Sequence, residues 1–263
     1  MTAQPGRTDV TTLDLHPAPQ PAPAAARIRN HARTEIRLLL RNGEQLLLAL
    51  VIPMGILVAG RFLGDRVGLT MDLLAPSIVA LAIWSTCFTS QAIMTGFERR
   101  YGVLERLSAT PLGRSGLLSG KAMAYSVTSL GQVILLVIVC LALGWKPHGS
   151  ALAWVPGLVS VLIAMLAFGF LALAMAGSLK AEVTLGMANL VYIVGLVAGA
   201  ILWPLADYPK AIRPIIAVLP TTALGESLRA WGLGQTLWWP LVSLLIWALL
   251  LGLLARKVFK WIS

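Results

Sequence analysis

Residues 151–178 read ALAWVPGLVSVLIAMLAFGFLALAMAGS and contain no charged side chain. A helix needs roughly 20 consecutive apolar residues to cross the hydrocarbon core of a bilayer, and this run exceeds that length. The stretch therefore predicts a membrane-spanning α-helix.

Further apolar runs lie on both sides of this one. Of the 263 residues, 57% are hydrophobic and only 12% are charged, whereas a soluble domain of this size needs more charge to cover its surface. The chain is therefore predicted to be an all-α membrane protein. Its six predicted spans occupy residues 45–63, 73–96, 122–143, 151–178, 183–203 and 237–255.

The basic residues predict how the chain is oriented. With the N-terminus inside, the inner segments hold 15 of the 21 Lys and Arg residues, which satisfies the positive-inside rule. Six of them precede the first span, five follow the second, one follows the fourth and three lie after the sixth. Both termini are therefore predicted to be cytoplasmic, including the tail at residues 256–263. This placement explains the net charge of +10 without nucleic acid as a partner.

The segment before the spans divides into two parts. Residues 1–26 are rich in Pro and Ala and are predicted to be a disordered tail rather than a signal peptide. Residues 27–43 carry an arginine at every fourth position beside an apolar stripe, which is typical of an amphipathic helix in the inner membrane interface. An ordinary cytosolic flank is the alternative. The predicted membrane domain then covers residues 44–255.

The loop between the second and third predicted spans is the most informative segment. Residues 97–121 read FERRYGVLERLSATPLGRSGLLSGK. Apolar residues at helical spacing predict one short amphipathic helix, which should end at Thr110 because Pro111 disfavours α conformation there. Gly113, Gly116 and Gly120 are expected to form the turn back into the membrane. A solvated loop that only fixes topology is the alternative.

This loop resembles the cytoplasmic loop of type-2 ATP-binding-cassette (ABC) export permeases, most closely the daunorubicin-resistance-like branch. Val103 departs from the family, which often has threonine there. The resemblance implies that the loop couples the permease to an ATPase. The implied coupling residues are Phe97, Glu98, Arg99, Arg100, Gly102, Glu105, Arg106, Thr110, Pro111 and Arg114.

The resemblance also implies the partners. They are two copies of a cytosolic ABC ATPase, which bind ATP and Mg, and a second permease copy, identical or paralogous. The residues of this chain agree, since the nearest approach to a phosphate loop, Ser115 to Ala122, lacks its first glycine and its final hydroxyl. No catalytic, cofactor or metal site is expected in this chain, and it is not expected to be an enzyme.

Neutral polar residues within the spans are the candidates for a substrate path at the interface between two permeases. They are Thr86, Thr89, Gln91, Asn189 and Tyr192, although hydroxyls and amides within spans also serve helix packing. Gly195 and Gly199 allow close approach of another helix, either at the dimer seam or against the second span of the same chain.

Residues 204–236 are too polar to cross the membrane twice. Prolines divide the segment, and Thr221 or Thr222 could cap a helix that runs to Gly232. Two short re-entrant helices in the outer leaflet are therefore predicted, with an ordinary outer loop as the alternative.

The resemblance implies that the function is outward transport of an amphipathic drug-like molecule or a lipid across the bacterial plasma membrane. Export of a polysaccharide or glycolipid is the alternative within the same class. A secondary transporter is disfavoured because such carriers place ionisable groups near span centres, where this sequence has none. A membrane enzyme is disfavoured because no nucleophile, base or metal cluster is visible.

Overall fold

The computed structural model describes residues 21–63, 70–148 and 154–260, without the side chains of 44–49. Most of the predicted disordered tail lies outside these ranges. Within them the α-helices are α1 Ala24–Arg41, α2 Gly43–Leu63, α3 Met71–Trp84, α4 Gln91–Arg100, α5 Val103–Ser108, α6 Gly113–Ala142, α7 Trp154–Ser178, α8 Ala181–Ala198, α9 Arg213–Ala217, α10 Pro220–Gly232 and α11 Trp239–Val258. The first helix thus begins three residues earlier than the predicted interfacial helix.

The centre of the fold is one long helix. A π-helical turn at Ser85–Ser90 joins α3 to α4, so helix runs without a break over Met71–Arg100. Its 30 residues give a length of about 45 Å, more than the roughly 30 Å of a bilayer core. In its most apolar stretch of 18 residues, 83% of the residues are buried inside the protein. This helix is therefore the core that the other helices surround.

The helices around this core bury large side chains against it. Trp84 stacks on Phe88 with ring centroids 4.3 Å apart and meets the edge of Phe168 on α7 at 4.7 Å. Helices α7 and α11 pack along each other, and α8 lies against α4 and the π-helical turn. These contacts explain why the middle of the second predicted span is buried from the lipid.

Five helices of the described chain are long and apolar enough to cross a membrane, namely Met71–Arg100, α6, α7, α8 and α11. They correspond to the second to sixth predicted spans. The first predicted span coincides with α2, whose described apolar part, Leu50–Leu63, is shorter. A sixth crossing by α2 therefore stays a prediction.

The predicted end of the fifth span at residue 203 is wrong. Helix α8 ends at Ala198, and Ala200 adopts a left-handed φ of 48°. The turn is held in place because the guanidinium of Arg229 donates to the carbonyl oxygens of Ala200 and Ile201 at 2.6 and 3.0 Å.

The segment after this turn contains a 3-10 turn at Leu205–Asp207 followed by α9 and α10. The predicted threonine cap of α10 is wrong, because the helix begins at Pro220, a residue suited to a first helical position. The Thr222 hydroxyl instead donates to the carbonyl oxygens of Gly199 and Ile216, at 3.2 and 2.6 Å. Helix α10 is almost entirely buried and packs on α3, α7 and α11.

Candidate functional site

The loop predicted to couple to an ATPase does not form one continuous helix. Helix α4 ends at Arg100, and Gly102 adopts a left-handed φ of 69° before α5 begins at Val103. The Tyr101 and Gly102 amides donate to the carbonyl oxygens of Phe97 and Arg99, at 2.9 and 3.1 Å. A glycine in this conformation after the last helical residue is a common helix stop, so Gly102 was the signal for the break.

Helix α5 also ends earlier than predicted, at Ser108 rather than at Thr110. The Thr110 hydroxyl closes the following turn, since it donates to the Leu107 carbonyl at 2.6 Å and accepts from the Leu112 amide at 3.3 Å. This threonine and Pro111 thus set the sharp reversal into α6.

The protein presents a compact surface at this end. Helix α5 contacts α4 and α6 and buries Leu104 completely. Glu105 and Arg106 point outward, and Tyr101 beside them is 64% exposed. Thr110, Pro111 and Arg114 complete the exposed face, which we call the α5 surface and define by these six exposed residues.

Three of the predicted coupling residues instead bind other parts of the same chain. Arg99 is buried and donates to the carbonyl oxygen of Leu179 at 2.7 Å. Arg100 forms an ion pair with Glu182 in the first turn of α8. Glu98 forms an ion pair with Lys121, as described next. Phe97 is half-buried and stacks on Tyr101.

A cluster of buried charges lies behind the α5 surface. The Lys121 side chain has no solvent exposure, and its ammonium lies 3.1 Å from a carboxylate oxygen of Glu35 and 2.5 Å from one of Glu98. The three residues come from α6, α1 and α4. Because a buried charge without its partner is costly, this cluster holds the three helices together.

A histidine extends the cluster along α1. His31 Nε2 lies 3.6 Å from a Glu35 carboxylate oxygen, and burial lowers the pKa of His31 more than Glu35 raises it, while nearby Lys121 lowers it further. A Cβ added at Gly120 would meet His31 at 2.5 Å. Gly120 therefore lies inside α6, where it admits α1, rather than in the predicted turn. The same correction applies to Gly116, which is buried within α6.

This cluster was missed by the sequence analysis, although the sequence carried a signal. Glu35 follows Ala32 by three residues and precedes Leu39 by four, so a carboxylate lies on the apolar side of α1. A charged group at such a position needs a buried partner.

The residues predicted to line the substrate path do not share one surface in this conformation. Thr86, Thr89 and Gln91 are buried inside the chain, and the Thr86 hydroxyl lies 2.6 Å from the Gln132 amide oxygen. Asn189 faces outward from α8. Tyr192 is half-buried and its carbonyl oxygen accepts from the Trp84 indole at 3.3 Å.

The two predicted packing glycines both make contacts within this chain. A Cβ on Gly195 would lie 2.9 Å from the Trp84 indole nitrogen, so this glycine lets α8 approach the central helix. Gly199 is the C-terminal cap of α8, and a Cβ added there would collide with the Thr221 hydroxyl.

Among the residues described, no group of three or more His, Cys, Asp and Glu side chains is arranged to hold a metal ion.

A second buried cation lies at the opposite end of the bundle. Arg229 on α10 is 6% exposed and forms an ion pair with Glu226 at 2.8 Å. Its guanidinium also contacts the Ser77 hydroxyl on α3 at 3.2 Å, and Glu226 accepts from the Leu205 amide at 2.8 Å. These bonds fix α10 to the central helix.

Known proteins resemble this chain over much of its length. Residues 45–257 match the family described as ABC-2 family transporter protein. The chain is also similar to the probable doxorubicin resistance ABC transporter permease protein DrrC of Mycobacterium tuberculosis, in strains CDC 1551 / Oshkosh and ATCC 25618 / H37Rv. Identity is 26% over 175 residues, which cover 65% of this chain and 62% of the relatives.

Proposed function

Because this chain belongs to the ABC-2 transporter family, we propose that it is the permease subunit of an ATP-driven exporter and that a separate ATPase subunit binds its α5 surface. ATP and Mg are then bound by that partner, in two copies, and not by this chain. The membrane is the bacterial plasma membrane, with both termini and the α5 surface on the cytoplasmic side.

The observation that carries this proposal is the rigid attachment of an exposed surface to the spans behind it. Glu105 and Arg106 are exposed, whereas Glu98 on the adjoining α4 is tied through Lys121 to α6 and α1. Arg100 ties the same turn to α8. A force applied to α5 by an ATPase would therefore reach four helices at once.

The test is a swap of two exposed charges. Glu105→Lys with Arg106→Glu keeps the net charge, and so does the control Asp207→Lys with Lys210→Glu in an exposed segment between α8 and α9. We expect the first pair to lower co-purification of the co-expressed ATPase, and its permease-dependent ATP hydrolysis, by about tenfold or more, because like charges facing each other at an interface cost several kcal/mol. The control should leave both unchanged.

Equal recovery of ATPase with both variants would refute the proposed docking surface. Glu98 is unsuitable for this test, because its reversal would place a second cation beside buried Lys121 and damage the permease itself.

The proposed cargo is an amphipathic drug-like molecule or a lipid. The support is the similarity to relatives whose name records doxorubicin resistance. ATP-dependent uptake of labelled doxorubicin into inverted vesicles that contain the assembled complex, compared with inward translocation of a labelled phospholipid, would distinguish the two. Transport of neither would favour a glycolipid or polysaccharide.

We further propose that a second permease copy packs on α8. The exposed face of this helix is apolar, with Leu190 and Ile193 more than half exposed, yet it carries Asn189. An amide facing lipid is unfavourable, whereas an amide facing another helix can form a hydrogen bond. Asn189→Cys should form a disulfide-linked dimer, and Leu249→Cys on α11 should not. Both native cysteines are buried, so few disulfide-linked dimers should form through them.

A further inference from the structure

A cavity of about 340 Å³ lies between α1, α2, the π-helical turn and α6, at the same end of the bundle as the Lys121 cluster. Its volume falls within the range of small-molecule pockets. Its lining includes Ile36 and Leu40 of α1, Thr86 of the π-helical turn, and Thr128, Gly131 and Gln132 of α6.

The lining is largely apolar but contains a polar group that lacks a partner. The Thr128 hydroxyl is buried and has no hydrogen-bond partner among the described residues. A buried hydroxyl of this kind is normally paired, so it can accommodate a polar atom of a ligand. Gln132 and Thr86, by contrast, pair with each other across the cavity wall.

The arginine stripe of α1 borders this cavity. Arg33 and Arg37 precede the lining residues Ile36 and Leu40 by three positions, so each arginine is a helical neighbour of a lining side chain. Both arginines are exposed, and in the described part of the chain neither forms an ion pair. An apolar cavity beside two exposed cations matches a ligand with an apolar chain and an anionic head.

We infer that this cavity binds one acyl chain of an anionic phospholipid, whose phosphate lies at Arg33 and Arg37. The Thr128 hydroxyl donates to an ester carbonyl oxygen of the lipid. The bound lipid fills the space between α1 and α6 and thereby supports the helix that carries Glu35. This inference does not depend on what the protein exports.

The cavity can be filled without a steric clash. Gly131 lies within α6, and a Cβ added there would meet nothing within 4 Å, so Gly131→Leu extends a branched side chain into the open space. Gly186 on α8 is the matched control, since it is also helical, exposed and free of any neighbour within 4 Å. Replacing glycine inside a helix also favours the helix itself.

The experiment is native mass spectrometry of the delipidated full-length protein in detergent, with equal amounts of phosphatidylglycerol and phosphatidylcholine of the same acyl chains. Wild-type protein and Gly186→Leu should retain one phosphatidylglycerol, and Gly131→Leu should retain none. Arg33→Gln with Arg37→Gln should lower the preference for phosphatidylglycerol over phosphatidylcholine roughly 20- to 30-fold. Each arginine contributes about fivefold, and the two factors multiply. Melting temperatures of all variants verify folding.

Two results would overturn the inference. Equal retention of phosphatidylglycerol by Gly131→Leu and Gly186→Leu would show that the lipid does not occupy the cavity. Equal retention of both lipids by the wild-type protein, or an unchanged preference in the arginine variant, would show that the site does not recognise the anionic head.

Discussion

Replacement of Lys121 by methionine tests the buried charge cluster most sharply. Methionine keeps the length and the apolar stem of lysine but removes the ammonium that contacts Glu35 and Glu98. The two carboxylates then lie buried without a cation between them, in side chains that are only 9% and 18% exposed.

The expected loss follows from the cost of leaving buried charge unpaired. Removal of one partner of a buried ion pair costs about 3 to 5 kcal/mol. Much of this cost comes from the carboxylates that stay behind, so Lys121→Met combined with Glu35→Gln and Glu98→Gln should recover most of it. If unpaired charge causes the loss, the triple variant should therefore be more stable than Lys121→Met alone.

The measurement is the free energy of unfolding of the purified chain, titrated with SDS in mixed micelles. Lys180→Met is the matched control, because Lys180 is exposed in the turn before α8 and should cost less than about 0.5 kcal/mol. A loss below about 1 kcal/mol for Lys121→Met, or a triple variant less stable than the single one, would refute the reasoning.

Three further perturbations probe other contacts. Burial lowers the pKa of His31 from its ordinary 6.5, so the unfolded chain takes up the proton first. The melting temperature should therefore fall as the pH drops below about 6.5, and His31→Gln should flatten this dependence; equal profiles would contradict it. Gly195→Leu should lower the free energy of unfolding by about 1 to 3 kcal/mol in the SDS titration, because the new side chain collides with Trp84. Gly186→Leu should be tolerated, since it has no neighbour within 4 Å. Equal stabilities of the two variants would contradict the contact. Arg229→Met should cost about 3 kcal/mol by the same titration, and a neutral effect would contradict its role in fixing α10 to the central helix.

Much of the fold followed from the lengths of the apolar runs. Five of the predicted spans correspond to helices of sufficient length, because a run of apolar residues leaves a helix as the only way to satisfy its backbone in lipid. Helix ends were less predictable. The end of α8 depends on a contact between Ala200 and Arg229, which are far apart in sequence, and no local pattern announces such a bond.

The position of the exposed charged helix was predictable from the sequence, whereas the contacts of its neighbours were not. The family-like loop indicated where an exposed charged helix would be, and Glu105 and Arg106 are exposed there. Periodicity could not show that Glu98 and Arg99 turn inward, because their partners are distant in sequence. Lys121 lies on α6 and Leu179 lies in the turn between α7 and α8. Local spacing predicts which face a residue occupies, whereas only tertiary packing determines what covers that face.

Site-specific photo-crosslinking would show whether the α5 surface binds an ATPase. A photo-reactive amino acid is placed at Arg106 or, as a control, at Ile215 of α9. Ile215 is 70% exposed and lies near Lys210, which also served as a control position. The complex is irradiated during ATP hydrolysis. We expect a crosslink to the ATPase from position 106 and none from position 215. No crosslink from position 106, or equal crosslinking from both positions, would contradict it.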